Sequence, residues 1–449
     1  MQIIREKSFY RELFALVLPI YLQQLLRISV DTVNSLMLGS IDQVQMSGIS
    51  QANQVFFVYY TICCGLSVGV SVLVSQYWGK KDVDHIPAII AHGLRMAAVL
   101  GLVYGCAVHF FPEVFMRIYS SDPEIIAVGA GHLRKVSLMY MVCGLSVVIF
   151  GASRGMAKMK IILFTNIISY SINILLDYLL IFGRLGFPVM GAVGVSYGTL
   201  AARYAEFFIC TLFFLKASDI PFELRHLKVV DPQIRRSLFS VTAPIVCHEV
   251  VWSLGTSSGA MITGQLGREV VGGYNVTTVL YDLGASYGNG LLNASSVVLG
   301  MTLGRGELER AKREANTMIL LGLLSGIVLG TITFLVRDLF LGFYALNEQS
   351  AHYARQFMTV IAFIWPFSML EMIGMIAILR SGGQGKVGFY TDIVVMFMIC
   401  IPFASYLAFK VQAEPWIIVL SIKMIIVFES IIGIINVYRY KWLRNLTAA

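Results

Sequence analysis

The chain contains two copies of one sequence pattern, displaced by 225 residues, the separation between Pro19 and Pro244. Proline and glycine answer requirements of the backbone rather than a general need for hydrophobicity, so their coincidence at one displacement indicates a duplication. One residue later in register, Arg154 aligns with Arg380. The function must therefore lie inside or between two related halves. The glycine pairs that keep the displacement of 225 are Gly39/Gly264, Gly48/Gly273, Gly65/Gly290 and Gly79/Gly304.

The composition places both halves in a membrane. Of 449 residues, 57% are hydrophobic and 13% are charged, whereas charged residues make up about 25% of a typical soluble protein. Apolar runs long enough to cross a bilayer as helices recur along the whole chain. The sequence thus predicts an all-α membrane protein with twelve transmembrane helices, six in each repeat. The predicted spans are about 13–38, 48–77, 87–110, 124–150, 160–182, 191–215, 237–263, 270–302, 314–335, 351–379, 387–409 and 415–438.

The loops predict the orientation of the chain. Lys and Arg concentrate in the loops on the same side as the N-terminus, which the positive-inside rule assigns to the cytoplasm. Both termini are therefore expected in the cytoplasm, and the net charge of +8 reflects topology rather than a nucleic-acid partner. Six spans per repeat make the two repeats parallel. We expect an N-lobe at 1–216, a cytoplasmic linker at 217–236 and a C-lobe at 237–449.

Polar residues in the first and fifth predicted helices suggest a cation site. Gln24 and Asp31 lie on one stripe of the first helix, and Asn173 and Asp177 lie one turn apart in the fifth. At 1.5 Å per residue, Asp31 and Asp177 both lie roughly 25 to 27 Å from the cytoplasmic ends of their helices. Thr199 in the sixth helix reaches the same level.

Carboxylate, amide and hydroxyl oxygens are the ligands that Na⁺ or a shuttled proton would use. Asp31, Asn173 and Asp177 are accordingly candidates for a Na⁺ site, and Pro19 is a candidate hinge because proline interrupts the helical hydrogen bonds. Two structural alternatives remain open: Asp31 pairs with Arg27 on its own helix, or Asp177 extends to the outer interface.

The second repeat does not copy these acids. At the displacements above, Asp31 aligns with Thr256 and Asp177 with Phe403, while the acid of the seventh helix, Glu249, aligns with Gln24. A purely structural role would place the acids in both copies, so the asymmetry favours function. His248-Glu249 begins like a metalloprotease motif but lacks the second histidine, which argues against a zinc site.

Two other acids at membrane depth are expected to be structural. Glu206 lies one turn from Arg203, and Glu429 lies two turns from Lys423. We expect each of them to pair with that basic residue.

The eighth predicted helix carries a continuous polar stripe within a segment of membrane length. Such a stripe faces water, a substrate or another helix, because exposure to lipid would be too costly. Tyr281 and Tyr287 flank the stripe and offer aromatic faces to a cation. The stripe therefore predicts part of a substrate cavity, with helix-to-helix contact as the alternative. Its residues are Asn275, Thr278, Asp282, Ser286, Asn289, Asn293 and Ser296.

With these residues the chain resembles the multidrug and toxic compound extrusion (MATE) transporters over nearly its whole length. The resemblance rests on Leu18-Pro19-Ile20 with Gln24 and Asp31, on Ser75-Gln76-Tyr77-Trp78-Gly79, on Ser153-Arg154-Gly155 and on Asn173-Ile174-Leu175-Leu176-Asp177.

The resemblance implies two bundles in a V shape around a central cavity. It also implies export of amphipathic, often cationic, small molecules against Na⁺ or H⁺, by a monomer in contact with lipid in the plasma membrane of a prokaryote. Gln24, Asp31, Asn173, Asp177 and Thr199 resemble the N-lobe cation site of one branch of the family. Glu249 and Glu371 match C-lobe acids of another branch, and Asp282 is a third second-lobe candidate. No organic cofactor and no catalytic residue is expected.

Other function classes are less favoured. A lipid or lipid-linked oligosaccharide flippase of the same superfamily would need cations to hold pyrophosphate, and Arg27, Arg95, Arg134 and Lys135 are candidates. A membrane-embedded enzyme would need a metal motif or a nucleophile with its base, and the sequence has neither. Nucleotide-binding motifs are also missing, so ATP does not drive the protein directly.

Overall fold

The computed structural model describes residues 2–39, 43–217, 220, 222–228, 231–344 and 346–447. Within these ranges the chain forms helices and no strand, which confirms the predicted all-α class. The first repeat contains α1 (Lys7–Gly39), α2 (Gln43–Gly79), α3 (Ile86–Phe110), α4 (Pro112–Arg117), α5 (Pro123–Val136), α6 (Met139–Gly155), α7 (Met159–Phe182) and α8 (Ala192–Ala217). A short 3₁₀ turn, Leu224–Lys228, follows.

The second repeat has the same order of long helices, with π-helical insertions near its end. It contains α9 (Pro232–Gly264), α10 (Arg268–Gly304), α11 (Leu308–Leu341), α12 (Glu348–Glu371), α13 (Leu379–Ser381), α14 (Lys386–Thr391), α15 (Ile401–Tyr406) and α16 (Pro415–Tyr438). The π-helical segments are Met372–Ile378, Asp392–Cys400 and Leu407–Val411.

The helices match the twelve predicted spans, with two qualifications. Ten helical spans in the described part of the chain are long and apolar enough to cross a bilayer, and α5 with α6 forms an eleventh that is bent by 59°. The bend lies at Ser137, whose hydroxyl is 2.9 Å from Nδ1 of His109 on α3. The remaining predicted span is α10, which has 37 residues but carries the polar stripe.

The π-helical segments explain why the repeat drifts out of register. A π-helical segment accommodates an extra residue without ending the helix. Trp365, before Met372–Ile378, aligns with Tyr140 at a displacement of 225, whereas Arg380, after this segment, aligns with Arg154 at 226.

The chain forms two compact units whose boundaries lie inside the first helix of each repeat. One unit comprises residues 1–21 and 247–449, and the other comprises 22–246. Each boundary falls two residues after the proline of its helix, at Pro19 in α1 and Pro244 in α9. The start of each of these helices therefore packs in the same unit as most of the opposite repeat.

Matched glycines make this packing close in both units. A Cβ on Gly65 would lie 2.9 Å from Cα of Val246, and a Cβ on Gly290 would lie 3.1 Å from the carbonyl oxygen of Val17. Gly65 and Gly290 are repeat partners, so the duplication preserved a place where two helix backbones approach.

Candidate functional site

Asp177 is a buried acid in the first repeat. It lies on α7, five residues before the end of that helix, and its exposed fraction is 1%. Neither carboxylate oxygen accepts a hydrogen bond from any described residue. Oδ1 instead lies against Gly198 of α8, at the place a Cβ would occupy. The side chain therefore points between two helices and does not extend to the outer interface.

The other predicted members of this site lie on α1, α7 and α8. Asn173, one turn before Asp177, is buried, and its Oδ1 accepts a hydrogen bond of 3.0 Å from Nδ2 of Asn34. Nε of Arg27 donates to Oε1 of Gln24 at 3.2 Å. Thr199 follows Gly198 and is half-buried. The side chain of Asp31 lies outside the described residues, although its backbone belongs to α1.

Asn34 was not among the predicted site residues. It lies on α1 three residues after Asp31, and that spacing on one helix face was the signal that sequence reasoning overlooked. Its amide ties α1 to α7 beside Asp177. Together, Asn34, Asn173 and Asp177 supply amide and carboxylate oxygens in a dry environment, which is the chemistry of a site for Na⁺ or a proton.

A second group of ionisable side chains lies in the other unit, around His248 and Glu249 of α9. Nη1 of Arg380 donates to Oε1 of Glu249 at 2.8 Å, and Nη2 lies 2.7 Å from Nδ1 of His248. His248 and Arg380 are both buried, and the His248 ring packs on Gly388 of α14. Arg380 thus contacts both residues of the His248-Glu249 pair, which begins like a metalloprotease motif.

Asp392, Glu429 and Glu371 complete this group, which we call the Arg380 cluster. Nε2 of His248 lies 3.5 Å from Oδ2 of Asp392. One ligand atom each from His248, Asp392 and Glu429 lies within 4.8 Å of the others. All three of these acids are buried. Glu371, a predicted second-lobe candidate, is close enough for electrostatic interaction with Asp392, Arg380 and Glu249.

The expected pairing of Glu429 with Lys423 is wrong. Six residues place two side chains about 120° apart around an α-helix, so they do not share a face. Glu429 belongs to the Arg380 cluster, and Lys423 points elsewhere, to Tyr281. The companion expectation holds, because Arg203 Nη1 donates to Glu206 Oε2 at 2.8 Å. The spacing of the sequence did not connect Glu429 with His248 or Asp392.

The polar stripe of α10 satisfies part of its hydrogen bonding within its own helix. Ser286 donates to the carbonyl of Asp282, Asn289 to that of Ala285, and Asn293 to that of Asn289, each four residues back. Ser286 is buried and Asn289 and Asn293 are half-buried, whereas Asn275 and Asp282 are exposed. The stripe thus runs from a buried end to an exposed one.

The ring of Tyr281 is in contact with the ammonium group of Lys423. It stacks on Trp365 with centroids 4.8 Å apart, and its hydroxyl lies 3.2 Å from Ser368 Oγ. Nζ of Lys423 lies 4.8 Å from the ring centroid. The aromatic face predicted for a substrate cation is therefore in contact with a lysine of the protein.

These features define a multi-pass helical membrane transporter with a buried ionisable centre in each unit. The chain belongs to the MatE family, whose sequence profile matches residues 19–179 and again residues 244–406. The members of this family are transporters and not enzymes. The two matches begin at Pro19 and Pro244, so the profile itself repeats with the duplication.

The two profile matches differ in length by two residues. They start 225 residues apart and end 227 apart. At a displacement of 227, Asp177 aligns with Ala404 rather than Phe403. Ala404 is 0% exposed, like the buried Asp177, whereas Phe403 is 54% exposed. The second repeat therefore has a small apolar residue where the first has its acid.

Curated relatives and solved structures agree with this assignment. The chain is 23% identical over 350 residues to the probable multidrug resistance protein NorM of Pasteurella multocida, covering 73% of this chain and 71% of that protein. It is 22% identical over 417 residues to the probable multidrug resistance protein YoeA of Bacillus subtilis, covering 91% and 89%.

The fold matches that of MATE crystal structures. A MATE protein in complex with MaL6 superposes with a TM-score of 0.86 at 15% identity, covering 96% of both chains. An outward-facing multidrug resistance MATE transporter gives 0.85 at 15% identity, covering 95% of this chain and 96% of that one. The predicted class, with twelve helices in two parallel six-helix repeats, is confirmed.

Proposed function

We propose that this chain is a secondary active exporter of amphipathic, often cationic, small molecules, and that it exchanges them for Na⁺ or H⁺ by alternating access. Relatives described as multidrug resistance proteins support the substrate class. The protein acts as a monomer in the plasma membrane of a prokaryote, in contact with lipid and with both termini in the cytoplasm. It requires no organic cofactor, and Na⁺ or H⁺ is its coupling ion.

The observation that carries the proposal is the buried carboxyl group of Asp177, whose oxygens accept no hydrogen bond among the described residues. Burying a charge without a partner is costly, and such groups in membrane proteins usually serve ion or substrate pathways. Asn173 adds an amide oxygen one turn away, and Asp31, Gln24 and Thr199 complete the proposed coupling site. A site in this position binds a proton or Na⁺ in one conformation and releases it in another.

Substrate binds along the polar stripe of α10, on Asn275, Tyr281, Ser286, Asn289 and Asn293. Coupling requires only that substrate and ion favour different conformations of the protein. Pro19 is the hinge in this scheme, since it lies in α1 twelve residues before Asp31.

Transport in proteoliposomes tests the proposal. Efflux of ethidium is followed under an imposed Na⁺ gradient and, separately, under an imposed pH gradient. We expect one of the two gradients to drive efflux, and Asp177→Asn and Asp31→Asn each to lower the driven rate by at least about tenfold, within the usual range of coupling between sites. Glu113→Gln, which removes an exposed acid of α4 that pairs with Arg134, serves as the control.

Normal gradient-driven efflux by Asp177→Asn overturns the coupling site. Silence of the wild type under both gradients overturns the exporter and favours a flippase for lipids or lipid-linked oligosaccharides. Lys423, beside the stripe residue Tyr281, is the observation that favours this second function, because a lysine there suits an anionic headgroup. Translocation of a fluorescent lipid pyrophosphate would then be measured in the same vesicles.

A further inference from the structure

The Arg380 cluster contains more acids than positive charges. Its acids are Glu249, Glu371, Asp392 and Glu429, and among the described residues Arg380 supplies the positive charge that acts on them. Its guanidinium is engaged by Glu249 at 2.8 Å. The remaining carboxyl groups are therefore left to share a buried space without a cation of their own.

Arg380 also fixes the tautomer of the neutral His248 ring. A guanidinium nitrogen can only donate, so the Nδ1 atom 2.7 Å away accepts. A neutral imidazole that accepts at Nδ1 carries its proton on Nε2, the atom that faces Oδ2 of Asp392 at 3.5 Å. His248 therefore presents an N–H group, not a lone pair, to the acids.

This orientation argues against a metal ion at the three residues that otherwise have metal-site spacing. Coordination of a metal by Nε2 requires a free lone pair on that atom and usually an N–H on Nδ1. Nδ1–H in this position would point at the guanidinium of Arg380. The group His248, Asp392 and Glu429 is better suited to holding a proton than a metal.

The carboxyl groups of Asp392 and Glu429 are close together and unsatisfied. Asp392 is 0% exposed and Glu429 is 2% exposed. Neither oxygen of Asp392, nor Oε1 of Glu429, accepts a hydrogen bond from a described residue. Two ionised carboxylates this close in an apolar interior repel each other strongly, and a shared proton removes the repulsion.

The backbone around these acids is irregular. Asp392 is the first residue of the π-helical segment Asp392–Cys400, and Glu371 directly precedes the segment Met372–Ile378. π-helical segments are rare and concentrate at functional sites.

We propose that Asp392 and Glu429 form a proton-binding centre in which the two carboxyl groups share a proton. Arg380 and His248 are its positioning residues: Arg380 fixes the tautomer of His248, and His248 directs its Nε2–H group at Asp392. Glu249 and Glu371 are the other charged or titratable groups that face the pair. The centre loses its proton when the carboxyl groups separate, so its occupancy follows the conformational cycle. Only this last step rests on the proposed transport function.

Infrared difference spectroscopy of the reconstituted protein tests the centre without transport. We expect the wild type at neutral pH to show the C=O stretch of a protonated carboxylic acid, lost in both Asp392→Asn and Glu429→Gln. Glu206→Gln is the matched control: Glu206 is equally buried, but it forms an ion pair with Arg203 rather than a contact with a second acid. A C=O band unchanged in both variants overturns the proposal.

Two further measurements separate the centre from its alternatives. Titration of the purified protein with ZnCl₂ should show no binding that depends on His248, and one-to-one binding abolished by His248→Ala would overturn the assignment to a proton. Arg380→Gln should alter the pH dependence of the infrared band, since it frees the His248 tautomer. An unchanged dependence contradicts a positioning role. All three results stand whether or not ethidium efflux is observed.

Discussion

Asp177 lies between α7 and α8, with amide groups and a glycine around it, whereas Asp392 and Glu429 lie together behind His248 and Arg380. Both centres are buried, and the two units that contain them derive from one duplicated repeat. A carboxyl group surrounded by amide groups binds an ion that it exchanges with its surroundings. A carboxyl pair can satisfy itself with one proton. The same scaffold therefore supports two ways of keeping ionisable groups in a membrane.

The difference arises from which repeat positions carry charge. Gln24 and Glu249 occupy matched positions in the two repeats, and so do Arg154 and Arg380. Only the second repeat has an acid at the first of these positions, and this acid, Glu249, forms an ion pair with Arg380. At the Asp177 position the second repeat has Ala404. The two repeats therefore share backbone contacts but differ in the positions of their acids.

Removal of Arg380 should produce the largest loss of stability. Arg380→Gln leaves the half-buried Glu249 without its partner, so the loss should be at or below the about 3–5 kcal/mol that breaking a fully buried ion pair typically costs. Thermal unfolding in detergent measures this, and the double variant Arg380→Gln with Glu249→Gln should recover part of the loss. Equal stability of the single and double variants would contradict the pairing.

Substitution of Gly198 tests the packing around Asp177 in the other centre. Gly198→Ala places a methyl group where Oδ1 of Asp177 lies, so we expect a loss of about 1–3 kcal/mol from overpacking and a reduced gradient-driven efflux. Gly264→Ala is the control, because a Cβ there meets nothing within 4 Å. If both variants behave alike, Asp177 does not pack against α8 as described.

The conserved helix contacts predict similar behaviour in the two units. Gly65→Ala and Gly290→Ala each force a helix start away from its neighbour, and each should cost about 1–3 kcal/mol. Unfolding of both variants is compared under one condition. A loss in one variant alone would show that the duplicated contact matters in a single unit.

Lys423 should give the smallest effect on stability and a distinct effect on specificity. Lys423→Gln removes a cation–π contact worth about 0.5–2 kcal/mol and frees the ring of Tyr281. We expect ethidium to bind more tightly to the variant, as measured by fluorescence titration. Weaker binding would mean that Lys423 supports the cation site rather than competing with it.

The sequence was sufficient wherever the informative residues share a helix. Asn173 and Asp177 are four residues apart, so their common face followed from helical periodicity alone. The duplicated glycines likewise revealed the repeat, although not which neighbouring helix each of them contacts. The polar stripe of α10 was visible for the same reason.

The Arg380 cluster could not be predicted in this way, because its residues come from α9, α12, α13, α16 and a π-helical segment. Nothing in the spacing of residues along the sequence indicates that His248 lies near Asp392. The π-helical segments also complicate the alignment of the repeats: the partner of Asp177 is the exposed Phe403 at a displacement of 226 and the buried Ala404 at 227. A local change in helix type leaves little trace in composition.

Ion release on substrate binding tests the central claim most directly. Ethidium is added to purified protein in weakly buffered detergent solution, without any gradient, while pH and free Na⁺ are recorded. If the ion at Asp177 exchanges with substrate, the wild type and Glu113→Gln release H⁺ or Na⁺ in proportion to the ethidium bound, and Asp177→Asn binds ethidium without this release. Equal release by Asp177→Asn and the wild type would contradict the account.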